Sequence, residues 1–270
     1  MTNNHLSRHW QGEYFTEMNT APQHSKPKTA SFGEQDIPLE EKPQKIQEVF
    51  NQSAQHYDLM NFVMSLGMHS GWKRKVLESA HIFPGDWSLD LACGTCDITE
   101  MILEKFPQSY VVATDPNASM LEVGRDRLLD KGQFKAVEFV QGYAENLPFP
   151  NHRFENVFCA FGFRNFTDQA KGISECVRVL KPGGQLTILE FSQPKNASID
   201  FVFHEYAKWI PSIGDFIAQN ADSYQYLVES IQRNMSSQSL AELMSRTGLA
   251  SIPAIEYFSG LIYIQRGIKC

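Results

Sequence analysis

The chain has 270 residues, 42% of them hydrophobic, and a formal net charge of −7. That length and hydrophobic share suit one large globular domain, alone or with an appended lid. The acidic balance argues against nucleic acid or anionic lipid as the main partner, because both attract basic surfaces.

Residues 1–38 are polar and aperiodic, with TAPQHSKPKTASFGEQ rich in Pro, Ser, Thr and Gln, and they read as a flexible N-terminal arm. Met18 within it is an alternative start, and the opening MTNNHLSRHWQGEYF lacks the apolar core of a secretion signal. Residues 39–270 read as a single domain. Apolar positions at helical spacing give two or three helices over 39–79. From there strands and helices alternate: WSLDLA (87–92) is a strand, DITEMILEKF (97–106) a helix, YVVATD (110–115) a strand and NASMLEVGRDRLLD (117–130) a helix. AVEFVQG (136–142) and FENVFCAFG (154–162) are strands, DQAKGISECVRVL (168–180) a helix and GQLTILEFS (184–192) the fifth strand. Such alternation means a mostly parallel sheet covered by helices on both faces. Residues 198–234 are helical and aromatic, SQSLAELMSRTG (237–248) is a helix, and SIPAIEYFS and LIYIQRGIKC close the chain as β segments, seven in all. No apolar run approaches the ~18 residues of a membrane span.

The stretch SLDLACGTCDIT supports two readings. Cys93 and Cys96 form a C-x-x-C between strand and helix, where a redox pair would sit. Yet acidic Asp90 and Asp97 flank it, and no Lys, Arg or His within the motif favours a thiolate. The other reading is a cofactor turn: Ala92 and Gly94 let a ligand approach the backbone, with Cys93 buried and inert and Cys96 lining the cofactor. Asp115 ends the next strand 25 positions after Asp90 (115 − 90), a spacing that suits an acidic residue holding two ribose hydroxyls. A nicotinamide dehydrogenase would show similar signs. The acidic turn suits a cationic amino-acid cofactor better than a pyrophosphate, and LPFP (147–150) and VLKPGG (179–184) lie where S-adenosylmethionine (SAM) methyltransferases carry such turns. The five cysteines form no second C-x-x-C, so neither a four-thiolate zinc site nor another metal cluster is expected, and reduced thiols in a cytoplasmic protein are the simplest assignment.

Several longer stretches are more specific: YD-x-MN within VFNQSAQHYDLMNFVMSLGMHSGWKR (49–74), FG-x-RN-x-TD within AFGFRNFTD (160–168), and DSY-x-YL-x-ESI within ADSYQYLVESI (221–231). With LDLACGTCDIT (89–99), NLPFPNHRF (146–154), VLKPGGQLTILEFSQP (179–194) and the terminal RGIK, they resemble the ubiquinone/menaquinone biosynthesis C-methyltransferases over roughly residues 31 to 270. The resemblance implies a Rossmann-like class I methyltransferase, with a mostly parallel seven-stranded sheet and 198–234 as a helical lid insertion. It implies methylation of a ring carbon of a prenylated hydroquinone with SAM. Carried over to this chain, it places Asp90, Gly94, Thr95, Asp115, Pro116, Tyr143, Ala144 and Ala160 at the cofactor, with Arg164, Asn165 and Tyr57 facing the reacting ring.

Those residue types suit the chemistry. A ring carbon beside a phenol becomes strongly nucleophilic once the oxygen loses its proton, and a positive Arg164 favours the oxyanion. Arginine stays protonated, so the expected acceptor is a water held by Arg164, Asn165 and Tyr57. Structural readings stand beside these: Arg164 paired with Asp168 one turn on, Tyr57 as a core tyrosine, and the aromatics of 201–226 (Phe201, Phe203, Tyr206, Trp209, Phe216, Tyr224, Tyr226) as core rather than lid. His204 reads as a lid-surface residue. Lid exposure would give a groove for a lipophilic substrate tail, and leaves open peripheral membrane contact and a homodimer. Two positions depart from the family pattern: Cys96 replaces a glycine and Ala160 a serine. A left-handed Cys96 would carry roughly 1–2 kcal/mol of strain. That keeps two alternatives in view: a paralogue acting on another prenylated or aromatic compound, and a weakened enzyme serving as a binding partner in quinone synthesis.

Overall fold

The computed structural model describes residues 29–53, 57–218 and 221–270, with the side chains of residues 52, 53, 214 and 216–218 outside that description. The arm over residues 1–28, the alternative start at Met18 and the Phe216 side chain therefore lie outside the described residues.

Residues 29–38, read from composition as the end of the arm, form an antiparallel hairpin of β1 (Thr29–Phe32) and β2 (Gln35–Pro38). Three helices follow: α1 (Lys42–Ser53), α2 (Tyr57–Ser65) and α3 (His69–Glu78). The alternating region gives β3 (Trp87–Leu91), α4 (Asp97–Lys105), β4 (Tyr110–Asp115), α5 (Ala118–Asp130), β5 (Val137–Gln141), β6 (Phe154–Ala160), α6 (Gln169–Val179) and β7 (Leu180–Phe191). α7 (Ala197–Ala218) and α8 (Ala221–Gln232) follow β7, and α9 (Ser237–Arg246), β8 (Leu249–Tyr257) and β9 (Ile262–Lys269) close the chain.

The seven strands lie in the order β5-β4-β3-β6-β7-β9-β8. β5, β4, β3, β6 and β7 are parallel, whereas β9 runs antiparallel to both β7 and β8. Side chains alternate across the sheet with the two-residue period of a strand. In β4, Val111 and Ala113 enter one core with Trp72, Ile102 and Leu227, while Val112 enters the other with Ile173, Leu240 and Tyr263. Both faces of the centre of the sheet are buried, which is why β3, β4, β6 and β7 are rich in apolar residues. β3 lies between β4 and β6, where the chain's direction of travel across the sheet reverses, and a crevice opens there beyond the carboxyl ends of the strands. Among the described residues, no helix is long and apolar enough to cross a membrane.

Candidate active site

A cleft whose empty space, open mouth included, is about 720 Å³ occupies that crevice. Its floor is the turn between β3 and α4. Ala92, Gly94 and Cys96 all have positive φ (54°, 53° and 67°), so the turn winds tightly and presents backbone to the cleft. The Tyr57 ring stands against it: a Cβ built on Gly94 would lie 3.2 Å from Tyr57 Cε1. Only glycine fits there without displacing the tyrosine.

Asp115 ends β4 at one side of the cleft. Its Oδ2 accepts the Gly94 N–H (2.9 Å) and its Oδ1 the Asn117 N–H (2.8 Å). Burial nevertheless pushes the carboxyl up to about 6, because two backbone donors only partly replace its hydration. Pro116, Tyr143 and Ala144 line the same side. α1 crosses the mouth, where Gln47 Nε2 donates to Tyr143 Oη (2.7 Å) and to the Pro116 carbonyl (3.3 Å). Opposite, Phe161, Gly162, Asn165 and Phe166 of the loop after β6 complete the wall. A Cβ on Gly162 would lie 2.5 Å from Ala92 Cβ, so that glycine permits the two loops to meet.

Among the described residues, the cleft wall contains two carboxylates, Asp115 and Glu145, and no Lys, Arg or His. A dinucleotide would bring two phosphates to a wall whose described residues carry no cation. A ribose diol, a flat purine against Tyr143 and Ala144, and a cationic sulfonium match this donor set, so the residues fit SAM. The acidity comes from residues other than those the turn suggested. Asp97 points away from the cleft, where Lys73 Nζ (2.6 Å) and Arg127 neutralise it. Although burial pushes its carboxyl up, those cations hold it below the usual carboxylate range.

Four expected site residues stand behind the wall. Asp90 is buried, and its Oδ2 accepts the N–H and hydroxyl of Thr99 (3.0 and 2.7 Å). Burial pushes it up to about 7. Thr95 donates its hydroxyl to Asp58 of α2 (2.8 Å). Both side chains thus hold the turn from outside the cleft. Ala160 ends β6 one residue before the cleft-lining Phe161. Arg164 is buried in the 3-10 turn Phe163–Asn165 and lines a neighbouring polar cavity. Its Nη1 donates to Glu190 Oε1 and to the Phe161 carbonyl (both 2.6 Å), and its Nε to Ser230 Oγ (3.2 Å). The ion pair with Asp168 is not formed, because Asp168 caps α6 by accepting the Lys171 N–H. Glu190, fully buried at the carboxyl end of β7, was not anticipated. A lone carboxylate closing the apolar run LTILEF was its one signal.

Cys96 also differs from expectation. It is fully buried and does not line the cleft. Its Sγ packs over Gly124 of α5, where a Cβ would approach within 2.4 Å, and lies 3.7 Å from Cys93 Sγ. Burial, reinforced by the neighbouring Cys96, pushes the Cys93 thiol well above its ordinary value. That is the reverse of what a redox thiolate needs.

The sequence profile of the ubiE/COQ5 methyltransferase family matches residues 39–269. The chain belongs to this family. It is 44% identical over 243 residues to the ubiquinone/menaquinone biosynthesis C-methyltransferase UbiE of Ectopseudomonas mendocina, covering 89% of this chain and 95% of the relative. Identity to the UbiE of Pseudomonas fluorescens is 43%, with the same coverage. A solved SAM-dependent methyltransferase from Thermotoga maritima aligns with a TM-score of 0.58 at 18% identity, over 83% of this chain and all of the other. That likeness shows the fold, a Rossmann-like class I methyltransferase. Cys96 leaves the cleft lining untouched, since its side chain fills space over Gly124 instead.

Proposed function

We propose that the protein is a SAM-dependent C-methyltransferase that methylates a ring carbon of a prenylated hydroquinone in ubiquinone/menaquinone biosynthesis. The acidic cleft at the strand-order reversal, with Asp115, Tyr57 and Asn165 among its lining residues, carries this reading. When bound, SAM supplies a methyl group activated by a positively charged sulfur.

Asp115 holds the ribose hydroxyls, Pro116, Tyr143 and Ala144 flank the adenine, and Gly94 allows close approach of the backbone. Tyr57 and Asn165 face the ring as hydrogen-bond donors. Burial pushes the Tyr57 phenol far up, with Arg164 opposing, so Tyr57 keeps its proton and donates to the substrate oxygen. Arg164 acts from behind Asn165, its charge partly balanced by Glu190. Neither residue serves as base, and the phenolic proton leaves to water. Their work is to hold the ring and stabilise its oxyanion.

A polyprenyl tail would bring the protein to a membrane surface. Phe201, Val202 and Trp209 of α7, Phe62 of α2 and Leu66 just after it are exposed apolar side chains that support contact there. Within 201–226 the roles divide: these α7 residues are exposed, whereas Phe203, Tyr224 and Tyr226 are core.

Anaerobic incubation with SAM and demethylated benzoquinols or naphthoquinols, followed by mass analysis, tests the reading. One added methyl on either ring supports it. Calorimetric binding of NAD in place of SAM, or SAM binding without methyl transfer to any quinol, would overturn it.

A further inference from the structure

The DSY-x-YL-x-ESI stretch lies on α8, outside the cleft wall, and none of the roles above uses it. Three of its side chains point at the catalytic turn or its support. Tyr226 Oη donates to Asn165 Oδ1 (2.9 Å), Ser230 Oγ accepts from Arg164 Nε (3.2 Å), and Glu229 Oε2 accepts the Glu34 N–H of the hairpin (3.1 Å). One turn on, Arg233 bonds Asp36 and the carbonyls of Glu34 and Gln35. These positions recur at helical spacing, so one stripe of α8, continued by Arg233 just past its end, grips both the turn and the hairpin.

We infer that Tyr226 is a positioning residue that fixes the side-chain amide of Asn165 with both N–H groups turned to the cleft. This rests on the reading that Asn165 faces the ring. The Tyr226 ring is buried and stacked on Phe32 of β1 (centroids 4.6 Å apart, planes 28° apart), which sets where its hydroxyl points. A buried phenol needs an acceptor. Of the two charges near it, Arg164 offers only N–H groups, and the Glu190 oxygens already accept from the Arg164 N–H and Nη1 and from the Phe191 N–H. Asn165 Oδ1 therefore takes the phenol proton, and rotating the amide by half a turn would leave that proton without a partner. Burial pushes the Tyr226 phenol far up, so the hydroxyl remains a donor throughout the working range. Asn165 Nδ2 has no protein partner among the described contacts, and Asn165 lines the cleft. The fixed amide is thus a donor awaiting an acceptor: a phenolate or quinol oxygen beside the carbon to be methylated. The inference adds a selectivity rule, favouring rings that carry such an oxygen over rings that do not.

The test compares Tyr226→Phe, Asn165→Ala and the double variant in the full chain. Tyr226→Phe keeps the ring on Phe32 and removes only the hydroxyl. Its kcat should fall about tenfold or more, less than the ~hundredfold loss of an oxyanion donor outright, with KM for SAM, calorimetric SAM affinity and melting temperature unchanged. In the side-chain amide spectrum, the resolved Asn165 N–H pair should broaden or move in Tyr226→Phe. Adding Tyr226→Phe to Asn165→Ala should cost nothing further, because the two act as one unit. Near-normal turnover in Tyr226→Phe beside an impaired Asn165→Ala would overturn the positioning role alone, and so would full additivity. Near-normal turnover in Asn165→Ala would instead sink the reading of the site on which this rests. Should Tyr226→Phe fail to fold, Asn165→Asp carries the test. Aspartate keeps the acceptor for Tyr226 but lacks the N–H donors, so turnover should fall as in Asn165→Ala, and retained turnover would overturn the inference.

Discussion

SAM affinity should depend on pH through Asp115. Burial raises this carboxyl from an ordinary 3.8 to about 6 in the free protein, so the free site binds a proton more tightly than an exposed carboxylate does. Two ribose hydroxyls need the ionised form, because both oxygens already take a backbone N–H. Protonation and SAM therefore compete. With a group titrating at about 6, affinity at pH 5 should be about tenfold weaker than at pH 7.5, or ~1.4 kcal/mol. Free-protein stability runs the opposite way, falling as the pH rises. Raising a folded-state carboxyl from 3.8 to about 6 corresponds to about 3 kcal/mol, present below pH 3.8 and lost as the pH rises through about 6. Asp115→Asn removes that cost at neutral pH but leaves Gly94 or Asn117 without its acceptor, worth ~1–3 kcal/mol. The terms nearly offset, so the variant should melt within a few degrees of the parent. Calorimetry from pH 5 to 8 reads the outcome: the parent's affinity falls at the acid end, while Asp115→Asn binds 1–3 kcal/mol more weakly at neutral pH and shows no slope near 6. Asp90, pushed up to about 7, serves Thr99 outside the cleft and should not contribute. A flat profile in the parent, or the same slope in both proteins, would refute the role given to Asp115.

Arg164→Lys keeps the charge beside Glu190 but loses the planar fork that reaches Ser230 and Phe161 together. Turnover should fall about a hundredfold with SAM affinity little changed, and raising the pH should restore part of it by supplying phenolate; steady-state kinetics across pH checks both. Glu190→Ala strands a buried guanidinium and should cost ~3–5 kcal/mol of stability, read by urea unfolding. Gly124→Ala should destabilise by ~1–3 kcal/mol through collision with Cys96 Sγ, and Cys96→Gly should rescue it; equal losses in both backgrounds would show that the contact is unimportant. Cys96→Gly alone should leave SAM affinity intact, since relief of a left-handed cysteine is offset by lost packing. An insulin-reduction assay should show no thiol activity in the parent.

The parallel half of the sheet was legible because β3, β4, β6 and β7 are largely buried on both faces, which keeps them rich in apolar residues despite the buried Ser88, Asp90 and Asn156. The hairpin was not. TASF and QDIP are four-residue strands in a polar segment, and what holds them is Glu229 and Arg233, nearly 200 positions away. Asp115 and Gly94 could be placed from their strand-end positions. Arg164 could be singled out, but its partner could not, since Glu190 becomes its neighbour only when β6 and β7 pair. Asp90 and Thr95 illustrate the reverse case: they sit in the cofactor motif by sequence yet turn to Thr99 and Asp58, because a tight loop needs internal partners as well as a ligand-facing backbone. Cys96 was placed correctly in strain but on the wrong side of the turn. Its direction is set by the space above Gly124, a contact between two helices that local sequence does not encode.

The central claim is methyl transfer to carbon. Supplying SAM carrying a ¹³C-labelled methyl group together with a demethylated prenyl quinol, and recording the carbon spectrum of the product, tests it most directly. The account predicts the label as an aryl methyl on the ring carbon beside the phenol, with formation of that signal suppressed by Asn165→Ala and Arg164→Lys. A label found as a methoxy group, or an aryl methyl formed equally well by both variants, would contradict it.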